Sequence, residues 1–335
     1  MNTKEILVEL CNRASIGGEG DLIPFLADEL EKYCEVEILK DGGLVGTIKG
    51  ESDYTVLLEA HYDQIGFVVT EVTDSGFVKL AAVGGIDERM LPSSRIKILG
   101  KKEVKAVFCS VPPHLKKDDK SAPKLSDLYA DTGTLHGLSD IVSVGDFAVF
   151  DYKAVAISDN YISAPSVDNR AGCAALLYAA NLIKNEKLVP TVKFLFADKE
   201  ELGMRGSQTG AYTIEPDLTI AVDVSFGDTP GVSSDETGKI GGGGMIGISP
   251  SLTKGVSDAL TLAAKNTNSQ FEVMGGRTGT DIDGMSIVKS GSLSGLVSVP
   301  IRNMHTSCET VLIDDVESVG GILAEFVKNL REGAF

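Results

Sequence analysis

Hydrophobic positions along the chain fall into helix-like and strand-like regimes that alternate at both ends and change character in the middle. Residues 3–15 place Ile6, Leu7, Leu10 and Cys11 on one face, with Thr3 as the expected N-cap. The run Gly17-Gly18-Glu19-Gly20 breaks that helix, and residues 21–34 restart one through Ile23, Leu26, Leu30 and Tyr33. Strand-like segments follow at 36–39, 45–48 and 54–60. From about Ser166 the alternation resumes, with helical patterns at 171–183, 251–265 and 314–330 and strand patterns at 191–197, 218–222 and 294–299. This alternation predicts an α/β sheet covered by helices on both faces.

Between about Gly66 and Ile157 the pattern turns to short alternating strands at 67–72, 77–82, 95–99, 103–108 and 146–150, separated by Gly, Pro and Asp. Strands at this spacing predict a small β-domain or barrel. Residues 116–124 are polar and of mixed charge, as expected of an exposed loop. The simplest organisation is an α/β domain formed by residues 1–65 and 158–335, interrupted by a β-rich insertion at 66–157.

Composition narrows the functional classes. With 24% charged and 43% hydrophobic residues the 335-residue chain is of ordinary globular type. A net charge of −17 argues against binding nucleic acid, whose phosphates it would repel. The five cysteines include no Cys-x-x-Cys pair, and Cys11, Cys34 and Cys173 lie in apolar helical patterns as core residues. Residues 1–15 lack the apolar run of a signal peptide, and no stretch approaches the roughly 20 apolar residues that span a bilayer. A reduced, cytoplasmic protein without a membrane role is expected.

Candidate chemistry sits where apolar runs end. Residues 54–60, 191–197 and 218–222 read as buried strands, and polar groups follow them: His61-x-Asp63, Glu200-Glu201 and Asp223. Asp168-Asn169-Arg170 precedes an Ala-rich helix, and His305 follows residues 294–300 with Glu309 four positions later. Singly, each has a plain explanation: an N-cap for Asp168, a solvated cluster for Glu200 and Glu201, a turn former for Asp223. As a set they offer nitrogen and oxygen ligands without thiolate, which suits zinc, cobalt or manganese, outside the carboxyl ends of strands where α/β proteins bind ligands. A carboxylate such as Asp168 can be shared by two cations, and Asp63 is spaced to orient His61. His114 and His136, without acidic neighbours, read as structural or surface residues.

Three segments, Ala60-His61-Tyr62-Asp63-Gln64-Ile65-Gly66, Ser166-Val167-Asp168-Asn169-Arg170-Ala171-Gly172 and Glu200-Glu201-Leu202-Gly203-Met204-Arg205-Gly206, resemble signature blocks of the M42 metallo-aminopeptidases. Asp223-Val224 and Met304-His305-Thr306 fit the remaining two in the family's order, and Pro112-Pro113-His114 and Asp131-Thr132-Gly133 also resemble it. The similarity covers nearly the whole chain. It implies a zinc-peptidase-like mixed sheet, a β-rich inserted dimerisation domain, and dimers that assemble into a dodecamer. It further implies two divalent metal ions per subunit (Zn2+ or Co2+, or Mn2+), with peptides as substrates. By motif, His61, Asp168 and Asp223 would hold one metal and Asp168, Glu201 and His305 the other. Glu200 would be the general base, and Asp63 the catalytic-site carboxylate that orients His61.

Gln64 stands where the family commonly has Glu, Lys199 where Gln is usual, and Ser307-Cys308 in place of a Pro-containing turn. A metal-dependent deacylase is the nearest alternative activity. A non-catalytic assembly protein would be expected to have lost ligands, and a glycosidase would leave the His residues idle. The preferred N-terminal residue is not legible. Residues 241–249 and 274–279 are expected to wall the pocket, and Arg277 is either a receptor for an acidic side chain or a surface residue.

Overall fold

A computed structural model describes residues 1–115 and 123–331, so most of the loop expected at 116–124 lies outside the described residues. The core of the fold is an 11-stranded mixed sheet. Thr55–His61 lies at its centre, parallel to Thr191–Ala197 on one side and to Leu218–Phe226 on the other. Leu293–Arg302 continues the parallel set beside Leu218–Phe226. Antiparallel strands finish both sides, including Leu44–Ile48 with Glu35–Ile38, and Glu309–Leu312 with Tyr161–Ala164.

Alternation along the central strand explains the layers. Val56, Leu58 and Ala60 join a large core with Leu7, Leu26, Leu176 and Val319, contributed by Thr3–Cys11, Leu22–Leu30, Val167–Ile183 and Ile313–Asn329. Leu57 points the other way, to Leu195, Ala221 and Leu296, where Arg205–Ile214 and Asp281–Met285 cover the sheet with Ala211 and Met285. Apolar side chains on both faces are what a sheet sandwiched between helices requires.

The middle of the chain forms a closed six-stranded barrel of Gly66–Val72, Phe77–Val83, Arg95–Leu99, Glu103–Phe108, Ala130–Asp131 and Phe147–Phe150. Closure comes from Ala130–Asp131, a two-residue strand too short to register in the sequence, which pairs with both Phe77–Val83 and Glu103–Phe108. Phe67 fills the barrel, with ring centroids 5.2 Å from Phe108 and 5.4 Å from Phe150, both edge-on.

Several sequence expectations need correction. The first helix ends at Cys11 and is capped by Asn2, whose side chain accepts the Glu5 amide, so Thr3 is the first helical residue. The second helix stops at Leu30 rather than Cys34, and Cys34 is only half-buried. The strand read as 218–222 runs to Phe226, because Leu293–Arg302 pairs with it to the end. The sequence reading also missed the helix Arg205–Ile214 and the strands Gly244–Ile248 and Ser269–Val273. No helix among the described residues is long and apolar enough to cross a membrane.

Candidate metal centre

The parallel strands deliver polar side chains to one edge of the sheet. His61 ends its strand and is buried, with Ala197 as its register partner. The chain beyond Ala197 turns through Lys199, at φ +63°, and presents Glu200 and Glu201. Asp223 lies inside its strand opposite Ser298, a consequence of the longer pairing just described. His305 follows Leu293–Arg302 in a turn where Asn303 and His305 both have left-handed backbones, at φ +59° and +61°. Such conformations outside glycine cluster at functional sites.

Asp168 sits between the two imidazoles. One carboxylate oxygen lies 3.2 Å from His61 Nε2 and the other 3.2 Å from His305 Nε2. His61 Nε2 is also 3.7 Å from Asp223, and His305 Nε2 is 3.7 Å from Glu201. Potential ligand atoms of His61, Asp168 and Asp223 lie within 4.8 Å of one another, as do those of Asp168, Glu201 and His305. Asp168 belongs to both groups. It is not a helix N-cap: the backbones of Asp168 and Asn169 are non-helical, and the Asp168 amide donates to Glu309 at 3.0 Å. The same Glu309 accepts the His305 amide at 2.7 Å, tying the Asp168 and His305 segments together.

Asp63 faces both the His61 ring and the turn that carries Glu200 and Glu201. Its oxygens accept the backbone amides of Glu200 and Glu201, at 2.9 and 3.3 Å. It also lies 3.4 Å from His61 Nδ1, the ring nitrogen on the side away from Asp168. Gln64 accepts from the buried Arg170 guanidinium at 3.3 Å, so the departure from Glu leaves this cation beside a neutral acceptor. Lys199 pairs with Asp198 at 2.6 Å. His114 and His136 are exposed, as expected.

Crowded, buried carboxylates disturb one another's protonation. Burial raises Glu200 to about 9, with Asp223, Asp281 and Glu201 adding to the shift and His61 opposing it. Burial and Asp168 raise Glu201 to about 7, against His61 and His305. The hydrogen bond to Asp168 raises His305 to about 9. Burial would raise Asp168, but the two imidazoles outweigh it and hold its carboxyl well below the usual range. The protein thus gathers more carboxyl groups than its two imidazoles can balance, and without cations the excess is relieved by bound protons. With oxygen and nitrogen donors in two groups that share one carboxylate, the residues fit a pair of divalent cations.

The sequence profile of the family described as M42 glutamyl aminopeptidase matches residues 42–322. The chain belongs to this family. A provisionally named aminopeptidase of Acetivibrio thermocellus is 33% identical over 321 residues, covering 93% of this chain and 94% of its own. The structure of an aminopeptidase of the archaeon Desulfurococcus kamchatkensis superposes with a TM-score of 0.91 at 27% identity, covering 98% of this chain and 95% of that one. A Pyrococcus horikoshii TET1 peptidase, which can assemble into a tetrahedron or a large octahedral shell, does so with 0.87 at 27% identity, covering 98% and 100%.

In this M42 peptidase, a cleft of about 380 Å³ is lined by His61, Asp168, Glu200, Glu201, Asp223 and His305. Thr278 and Gly279, from the loop expected at 274–279, also line it, whereas residues 241–249 and Arg277 do not. Sequence reading missed Glu59, Asp281 and Glu272. Glu59 and Asp281 are buried behind His61, and Glu272 faces the cleft. Glu59 carried a readable signal, an acid within the apolar run of residues 54–60 and two positions before His61.

Proposed function

We propose that this M42 peptidase uses two divalent cations, zinc or cobalt before manganese, to remove residues from the free N-termini of peptides. The observation that carries the reading is Asp168, with one oxygen 3.2 Å from each of two imidazoles that belong to separate ligand groups. His61, Asp168 and Asp223 would hold one cation, and Asp168, Glu201 and His305 the other. Bound there, the cations supply Lewis acidity to the scissile carbonyl and bring the pKa of a water towards neutrality.

The chain's own groups do the rest. Glu200 lies in the cleft with an oxygen 4.0 Å from His61 Nε2, in neither ligand group. Divalent cations bound beside it would favour its ionised form, and as a carboxylate outside both ligand groups it would accept a proton from the attacking water and pass it to the leaving amine. Asp63 fixes the Glu200-Glu201 turn through the two amides and so positions both the base and a ligand. The acidic lining of the cleft suits a substrate with a protonated α-amine.

We further propose that residues 66–157 form a dimerisation domain and that the dimers build a larger homo-oligomer, a dodecamer. Exposed apolar side chains on this segment, among them Val107, Val111, Leu135 and Val144, support an interface there. A cytoplasmic location is the sequence-based part of the same proposal.

Chelator-stripped protein should leave aminoacyl-p-nitroanilides intact and regain cleavage when zinc, cobalt or manganese is returned. Cleavage of N-acyl amino acids in place of free-amine substrates would reassign the centre to a deacylase.

A further inference from the structure

Five carboxylates line the cleft: Asp168, Glu200, Glu201, Asp223 and Glu272. The first four are absorbed by the two ligand groups and the base. Glu272 is not a member of either group. It comes from Ser269–Val273, which pairs only with Gly244–Ile248 at the side of the sheet. Both of its oxygens are held: one accepts the Ser225 hydroxyl and the other the Ser298 hydroxyl at 2.8 Å. Ser225 lies two residues beyond Asp223 on one strand face, and Ser298 is the register partner of Asp223 on the next strand. The carboxylate is therefore fixed on the cleft wall beside one ligand group, and its hydrogen bonds come from neutral donors.

No lysine or arginine among the described residues lines this cleft. Arg277, the candidate receptor for an acidic side chain, is exposed and lies 3.6 Å from Asp283. We infer that Glu272 sets the specificity of this site, selecting peptides whose N-terminal residue is lysine or arginine. The inference rests on the aminopeptidase reading above. A cationic side chain entering the cleft would find a preoriented carboxylate with no cationic partner among the described residues, whereas an acidic one would meet like charge in a partly desolvated space. Burial and the neighbouring Asp223 raise Glu272 above its ordinary range against the two serine hydroxyls, and a substrate cation would favour the charged carboxylate.

The test compares lysyl, arginyl, leucyl and glutamyl p-nitroanilides on the cation-loaded protein and on Glu272→Gln, alongside calorimetric binding of free L-lysine and L-leucine. The wild type should favour lysyl and arginyl substrates over leucyl by about tenfold or more. Glu272→Gln should lose about tenfold on the cationic substrates, chiefly in KM, lose much less on the leucyl one, and bind L-lysine correspondingly more weakly. Glu272→Lys should move the preference to the glutamyl substrate. A wild type that favours leucyl or glutamyl substrates would overturn the assignment and leave the aminopeptidase reading standing. So would equal losses on every substrate in Glu272→Gln, the mark of a purely structural role. Silence on all four substrates with cations bound would overturn both.

Discussion

Asp63 accepts the Glu200 amide at 2.9 Å, joining the end of Thr55–His61 to the turn that follows the neighbouring parallel strand. Two residues more than a hundred positions apart in the chain thereby set one another's geometry. Removing the acceptor should act through the base and the adjacent ligand rather than through substrate binding. Asp63→Asn turns an amide donor towards one of these backbone N–H groups, and kcat should fall by about 10–100-fold with little change in KM. Steady-state kinetics with an aminoacyl-p-nitroanilide check this, and a variant with KM alone altered would contradict it.

Glu200→Gln separates proton transfer from metal binding. Since Glu200 lies outside both ligand groups, the variant should hold the same metal content and lose about 10²–10⁴ in kcat. Metal analysis and turnover on one preparation provide the check. A variant that keeps its turnover would remove Glu200 from the role.

Stability of the metal-free protein should fall as pH rises. Glu200 at about 9 and Glu201 at about 7 stand above their ordinary 4.5, and His305 at about 9 above its ordinary 6.5. Each binds its proton more tightly folded than unfolded, so its contribution is present below the ordinary value and lost as pH climbs through the raised one. Asp168 works in the opposite sense, because its depressed carboxyl loses its contribution only in acid. Melting temperatures of chelated protein should therefore drop between about pH 5 and about pH 9, and added cation should restore most at the alkaline end. A flat or rising profile would show that the cluster is not charged as described.

The barrel reaches the centre through Gly85, where a methyl group would sit 2.6 Å from His305 Nδ1. Gly85→Ala should push the imidazole aside, weaken the ligand group that contains it and spare the one built on His61. Metal titration should then show one site weakened by about tenfold or more and the other near wild type. Two unaltered sites would mean that the loop yields instead.

The candidate ligands on the central strands were legible because those strands are buried on both faces and each apolar run stops at a polar group, as at Ala60-His61 and Ala197-Asp198. Asp223 was found for a partly mistaken reason: it lies within its strand, and only the partner Leu293–Arg302 carries the pairing on to Phe226. Nothing local specifies that register. Asp63 was placed at the site, but its partnership with two amides depends on the turn after Ala197 and could not be read from the spacing to His61. Glu272 was invisible because alternation in its strand would turn Phe271 and Val273 inward and Glu272 to solvent, whereas the fold leaves Phe271 and Val273 exposed and turns Glu272 to the cleft. The barrel strands were legible apart from Ala130–Asp131, whose role is set by two neighbours rather than by its own two residues.

The shared position of Asp168 is tested most directly by anomalous diffraction from crystals grown with zinc. Two peaks should flank the Asp168 carboxylate, one within bonding distance of His61 and Asp223 and the other within bonding distance of Glu201 and His305. A single peak, or two peaks with Asp168 bound to only one of them, would contradict the two-cation account.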